Sequence, residues 1–254
     1  MNIRGERILI LGDSLSASAF SPGGVLGQLL HGAGAQDVHI NARVGRSAIS
    51  FIQGENGLSQ IASDISQFKP TKVIVFLGTN DINRGMTTPE LARTATAMKA
   101  IRDAYKLAHA EVVALGPPSY DAIKFETAAP LMLDTIRGVY GIDRTLDIRP
   151  LTEMAQRSGD GIHFTADGAR DAAPQIAAAL ATLGVQPSMA STGMSTGAKI
   201  GLGALGVVGV VAASWFALRI AKRAAQSPYR LGPSGKALAF RLGREALQFA
   251  IKHR

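Results

Sequence analysis

The feature that most constrains this 254-residue chain is a repeated alternation of short apolar runs with helix-like segments. Ile8-Leu9-Ile10-Leu11 comes first and runs straight into Gly12-Asp13-Ser14, where the chain must turn. Val38-His39-Ile40-Asn41, Val73-Ile74-Val75-Phe76-Leu77 and Val112-Val113-Ala114-Leu115 follow, with Thr145–Ile148 as a short fifth candidate. Between them lie a short helix around Val25–Leu30 and a helical pattern in Ile49–Phe68 (Leu58, Ile61, Ile65, Phe68) that stops before Pro70. Pro89-Glu90 opens a long helix through about His109 with Thr88 as its N-cap, and helices over Ala129–Val139 and Ala166–Leu183 complete the set. Continuous apolar strands bury both faces, so this alternation predicts an α/β fold with a parallel sheet flanked by helices. Ligands of such sheets collect at the carboxyl ends of the strands, which is where Ser14 falls.

Charge divides the chain. Residues 1–185 carry 17 Lys/Arg and 18 Asp/Glu, whereas residues 222–254 carry eight Lys/Arg and a single acid, Glu245. The overall +8 therefore belongs to the tail, and a nucleic-acid-binding body is disfavoured because the phosphate backbone asks for a basic face. The absence of cysteine excludes disulfides, thiolate catalysis and cysteine-type zinc sites. No His/Asp/Glu cluster has metal spacing, and Gly12, Gly23 and Gly24 do not make a phosphate loop, so no cofactor or metal is expected. Met1–Arg7 contains no apolar run of signal-peptide length, and a cleaved secretion signal is not expected.

Three further polar motifs fall on the same rim of such a sheet. Asn41-Ala42-Arg43-Val44-Gly45-Arg46-Ser47 follows the second strand, Gly78-Thr79-Asn80-Asp81 the third, and Asp160-Gly161-Ile162-His163 precedes the last helix. A serine hydroxyl needs a base to remove its proton during attack, and an imidazole does that near neutral pH. His163 is the histidine in a polar motif at a helix entrance, and Asp160 can reach back within one turn to orient it. Attack on an acyl carbon develops an oxyanion; the backbone N–H groups of Ser14 and Gly45 and the amide of Asn80 are the candidate donors. Taken singly, each motif reads as a turn or a helix cap, and Asp13 as a residue that hydrogen-bonds within its own turn. His31, His39 and His109 read as surface or core residues. Four successive rim positions holding a serine, a glycine, an amide and an Asp/His pair are harder to explain that way.

This combination resembles the SGNH hydrolases, also called GDSL esterases and lipases, over about residues 6–185. The likeness rests on Ser14 in Gly-Asp-Ser-Leu, Gly45 in Asn-x-x-x-Gly, Asn80 in Gly-Thr-Asn-Asp, and Asp160 with His163 in Asp-x-x-His, in family order. It implies a three-layer α/β/α fold of flavodoxin-like topology and a hydrolytic serine. Residues 117–157 carry no motif of that family.

Past Leu183-Gly184 the chain turns to Gly, Ser, Thr and Met, and residues 186–199 read as a flexible linker. Ile200–Leu218 has no charged residue, and residues 200–220 are long enough for a single-pass transmembrane helix; a buried helix of an assembly is the alternative. Gly209, Ala213 and Ala217 form a small-residue stripe that suits a homo-oligomeric helix pair. In the tail, 221–254, residues 234–254 form a basic amphipathic pattern, with Arg241, Arg244, Gln248 and Lys252 opposite Leu238, Phe240, Leu247 and Phe249. That pattern fits a helix lying on an anionic membrane, with nucleic acid or a protein partner as rivals. The expected protein is a membrane-anchored serine esterase acting on a short acyl ester, acetyl for example, of a carbohydrate, a cell-envelope polymer or a lipid. The side of the membrane stays open, a virion membrane included. The other reading is a membrane-associated structural protein on a retired hydrolase scaffold.

Overall fold

The computed structural model describes residues 1–183. Its centre is a five-stranded, wholly parallel sheet in the order β2-β1-β3-β4-β5, formed by β1 (Arg7–Gly12), β2 (Asp37–Ala42), β3 (Lys72–Phe76), β4 (Glu111–Leu115) and the two-residue edge β5 (Thr145–Leu146). The chain steps outward from β1 to β2, then returns past β1 to β3, so the order reverses between β1 and β3. Loops leaving two strands at such a reversal diverge to opposite sides and open a crevice at their carboxyl ends.

Side chains along β1 alternate faces as the pleat requires. Leu9 and Leu11 join Val73 and Val75 beneath α2 (Ala48–Gly54), α3 (Gly57–Ser63), α5 (Thr88–Leu107) and α6 (Ile123–Tyr140), packing on Phe51, Ile61, Met98, Ile101, Met132 and Ile136. Ile8 and Ile10 join Ile74, Phe76 and Val113 on the other face beneath α1 (Pro22–Gly32) and α8 (Ala166–Thr182), against Leu26, Leu30, Ala172, Ile176 and Leu180. The result is the expected three-layer α/β/α arrangement. Two short helices, α4 (Thr79–Arg84) and α7 (Arg149–Thr152), follow β3 and β5, and Ile82 of α4 packs into the first of these cores.

The structure corrects several boundaries. The first helix starts three residues earlier than the apolar pattern suggests, because Ser21 accepts from Gly24 N–H as N-cap and Pro22 takes the first turn. The pattern over 49–68 is not one helix but α2, α3 and a π-turn at Asp64–Phe68, broken at Asn56, whose φ of 51° is left-handed. Leu58, expected on its buried face, is therefore exposed. The N-cap of α5 is Thr87, not Thr88, which is the first residue of the helix. Helix α6 begins six residues before Ala129 and carries Pro130 inside it.

The proposed membrane segment 200–220, the stripe Gly209/Ala213/Ala217, the linker 186–199 and the tail 221–254 lie outside the described residues. Among the described residues no helix is long and apolar enough to cross a membrane.

Candidate active site

β1 delivers Ser14 to the crevice. Two residues past the strand, the chain turns through an Asp13–Ser16 turn in which Ser16 N–H donates to Asp13 O at 3.0 Å and Leu15 N–H to Asp13 Oδ1 at 2.9 Å. This is the in-turn role expected of Asp13. The helix that follows begins only at Pro22, so Ser14 is not a helix cap. Its Oγ lies 2.9 Å from His163 Nε2, across 149 residues of sequence.

The His163 ring is held from behind. Its Nδ1 is 2.5 Å from Asp160 Oδ2, while Asp160 Oδ1 accepts from Ser158 Oγ at 2.8 Å, Ile162 N–H at 2.9 Å and His163 N–H at 3.0 Å. Burial pulls the Asp160 carboxyl upward, but the hydrogen bonds from the His163 ring, Ile162 N–H, Ser158 and His163 N–H outweigh it and hold the group well below the usual carboxylate range. It is ionised at any pH where the imidazole works. Gly161, with φ of 68°, makes the turn between them; a Cβ there would stand 2.8 Å from Ala122 N, and Gly161 O accepts from Asp121 and Ala122 N–H. The Asp160–His163 loop is thereby fixed to the segment leaving β4. Asp160 and His163 are both half-exposed, at 46% and 44%.

Gly45 and Asn80 close the other side. Gly45 has φ of 78°, is exposed, and would meet nothing within 4 Å if it bore a Cβ, so backbone conformation rather than space favours glycine there. Asn80 sits in the first turn of α4, which leaves β3 through Gly78. Its Nδ2 donates to Arg46 O at 3.1 Å and, at the long distance of 3.4 Å, to Asp13 Oδ2. The long contact is the one an incoming oxyanion can displace. Replacing Asn80 with alanine should lower kcat by about 10²–10³ with the fold intact, read from turnover beside a thermal melt.

The structure joins Ser14, His163 and Asp160 in one relay, sets Asn80 against Asp13 beside it, and leaves Gly45 next to Arg46, whose carbonyl Asn80 contacts; it adds three residues to which the sequence gives no role. Asp81 is buried and accepts Ala48 N–H at 3.0 and 3.2 Å and Thr94 Oγ1 at 3.4 Å, tying α4 to the start of α2. Burial raises its carboxyl. Tyr120 shares a 2.8 Å hydrogen bond with Thr79. Arg46 is buried beneath the Gly45 turn. An Asp after Gly-Thr-Asn at a helix start is the available signal for the first; nothing local marks the other two. His31, His39 and His109 are exposed, and among the described residues no group of acids and histidines could hold a metal ion.

Asp13 has a second consequence. It is fully buried, and burial, with Asp81 nearby, raises its carboxyl from 3.8 to about 7 against the opposing pull of Leu15 N–H, His163 and Asn80. The folded state thus binds this proton more tightly than the unfolded chain. Asp13's stabilising contribution is complete below about pH 4 and is lost as pH rises through about 7. Asp13→Asn should flatten the fall in Tm over that window and stabilise the protein at pH 8 by about 1 kcal/mol or more. The same substitution should lower kcat, because the single amide oxygen cannot replace two carboxylate oxygens that accept from Leu15 and Asn80 separately. Melts and rates on one sample test both signs.

Comparison with known proteins bears on the family and the fold. The model of the GDSL-like lipase/acylhydrolase family matches residues 10–170. The chain belongs to that family, whose SGNH-type members are ester-hydrolysing serine hydrolases. Similar solved structures include the psychrotrophic esterase EstA from Pseudoalteromonas sp., at 16% identity, TM-score 0.55, over 70% of this chain and 97% of that one. A putative SGNH hydrolase from Slackia heliotrinireducens gives 21% identity and TM-score 0.54 over 70% of this chain and 100% of that one. Axe2, an acetylxylan esterase from Geobacillus stearothermophilus, gives 13% and 0.50 over 68% and 93%. No curated protein sequence gives a match.

Proposed function

We propose that Ser14 is the nucleophile, His163 its general base, Asp160 the residue that orients and charge-stabilises the imidazole, and Ser14 N–H, Gly45 N–H and the Asn80 amide the oxyanion hole. The observation that carries this is the continuous relay Ser14 Oγ–His163 Nε2, 2.9 Å, and His163 Nδ1–Asp160 Oδ2, 2.5 Å. His163 takes the Ser14 proton as Oγ adds to the ester carbon, and Asn80 gives up its long contact with Asp13 to bond the developing oxyanion. Collapse of that intermediate expels the alcohol with the proton from His163 and leaves an acyl-Ser14. Water, deprotonated by the same imidazole, then releases the carboxylic acid.

For the substrate, we propose a short acyl ester, acetyl in the first instance, carried on a carbohydrate or cell-envelope polymer. One observation supports this: the relay is half-exposed rather than enclosed, so an ester on a bulky polymer can reach it. Axe2, which is similar in fold, is an esterase of acetylxylan, and an acetylated polysaccharide is accordingly the first polymer to try. A lipid-borne ester is the second reading, favoured by Phe20 and Val44, exposed on the loops leaving β1 and β2, and by Ile123, exposed at the start of α6. The uncharged run Ile200–Leu218 and the basic tail support a membrane anchor for the whole protein. A retired scaffold has no observation in its favour, since every reacting position is filled.

The test is turnover by the full chain of p-nitrophenyl acetate, acetylated xylan and phospholipid vesicles, with Ser14→Ala as control. Equal rates for the two proteins would end the hydrolase reading; preference for vesicles would favour the lipid-borne ester. Co-flotation with anionic vesicles that survives carbonate washing is expected of the anchor, and a chain that stays in the aqueous layer contradicts it.

A further inference from the structure

Arg46 is an unusual neighbour for a catalytic loop. Its side chain is 4% exposed, and each of its three guanidinium nitrogens donates a hydrogen bond. Nη1 donates to Asn41 O at 2.9 Å, to Asn41 Oδ1 at 3.0 Å and to Gly12 O at 3.4 Å. Nε and Nη2 both donate to Glu55 Oε2, at 3.1 and 2.9 Å, and the plane lies 4.7 Å from the centre of the Phe51 ring. Gly12 and Asn41 lie at the carboxyl ends of adjacent strands, Gly12 paired with Ala42 and Asn41 with Leu11, two residues before Ser14 and four before Gly45. The backbone carbonyl of the same residue accepts the Asn80 amide at 3.1 Å. One arginine thus links the carriers of all three proposed oxyanion donors: it bonds the strand end that leads to Ser14, it follows Gly45 directly in the turn, and its carbonyl accepts the side chain of Asn80.

Stability alone is a poor reason for such an arrangement. Taking two charges out of water costs more than most geometries repay, and apolar residues of the same volume often stabilise as well. What a planar guanidinium adds is direction, since its five donors leave in a fixed fork that a single ammonium cannot copy. Catalysis by an oxyanion hole depends on such fixed direction, because donors that must reorganise during reaction lose most of their effect.

We propose that Arg46 is the positioning residue of the oxyanion hole, locking the carboxyl ends of β1 and β2 to the Gly45 turn and, through its own carbonyl, aiming Asn80. This rests on the hydrolase reading above. Arg46 itself touches no reacting atom. Glu55 is its fixed counter-charge, and Asn41, whose Nδ2 donates to Asp64 Oδ2 at 3.0 Å, extends the frame to Tyr105, whose hydroxyl donates to the same oxygen at 2.8 Å.

The test uses the full chain with Arg46→Lys, Arg46→Met and Glu55→Gln, measured with p-nitrophenyl acetate, and counts competent sites by fluorophosphonate titration. Arg46→Lys should lower kcat per titrated site by about 10–100-fold with KM within about threefold, the loss expected when donors shift by less than an ångström or so. Phenylboronic acid, which forms a tetrahedral adduct on the serine, should weaken in parallel with kcat. Glu55→Gln, which keeps the contacts to both strand carbonyls, should lose less. A purely structural arginine gives a different result: fewer titratable sites, each with wild-type kcat and boronate affinity. That result overturns the proposal, as does a lower kcat with unchanged boronate affinity. If Arg46→Met does not fold, the lysine and Glu55 variants still decide. An active Ser14→Ala control would sink the hydrolase reading itself; an inactive control with wild-type Arg46→Lys kinetics would sink only this inference.

Discussion

Ser14→Ala should remove turnover by about 10⁴–10⁶ while leaving the melting temperature within a degree or two, because a nucleophile and base that act as one unit cannot be lost in part. The physical ground is how little else the hydroxyl does. Its hydrogen-bond partner is His163 Nε2, and the turn that presents it is built from Asp13, Leu15 and Ser16 instead. Removing one oxygen therefore leaves the turn, the sheet and the donors in place. Whatever slow hydrolysis survives reports the oxyanion hole and binding alone. The measurement is kcat/KM on p-nitrophenyl acetate together with fluorophosphonate labelling, which should vanish. A labelled alanine variant would place the nucleophile elsewhere.

Asp160→Asn should cost about 10²–10⁴ in kcat with the loop still ordered, for a reason that can be followed atom by atom. The amide oxygen can keep the place of Oδ1, which Ser158, Ile162 N–H and His163 N–H all approach. The amide NH2 then takes the place of Oδ2 and presents donors to His163 Nδ1. That nitrogen must become the acceptor, its proton moves to Nε2, and the ring points an N–H at the serine oxygen whose proton it should take. The half-exposure of both side chains lets water offset part of the loss, which sets the lower end of the range. Crystals of the variant should show an unmoved imidazole; a rate within fivefold of wild type would remove Asp160 from the relay.

Local chemistry in the sequence is enough to find the sheet and the groups of the proposed relay. Apolar runs locate β1, β3 and β4 within a residue or so because those strands are buried, whereas the edge strand β2 is legible only from its two β-branched residues, Val38 and Ile40. Ser14, Gly45, Asn80, Asp160 and His163 are legible because each lies directly past a strand or before a helix. What stays hidden depends on partners distant in sequence. Arg46 reads as one more loop charge until Gly12, Asn41 and Glu55 converge on it, and Tyr120 as an aromatic until Thr79 meets its hydroxyl. The break at Asn56 is concealed because apolar spacing continues across it while the backbone does not.

Helix α8 leaves the active rim at Ala166, three residues past His163, and runs its 17 residues back along the sheet. At the rise of an α-helix that is about 25 Å. It finishes beside the amino terminus, where the Met1 amine donates to Leu180, Ala181 and Leu183 carbonyls, below the first residues of β1. The described chain therefore ends at the pole opposite the proposed relay. Coupled to a bead, a sensor chip or a carrier protein through residue 183, it would present Ser14 outward, and substrates too large to slip under the domain would still reach it.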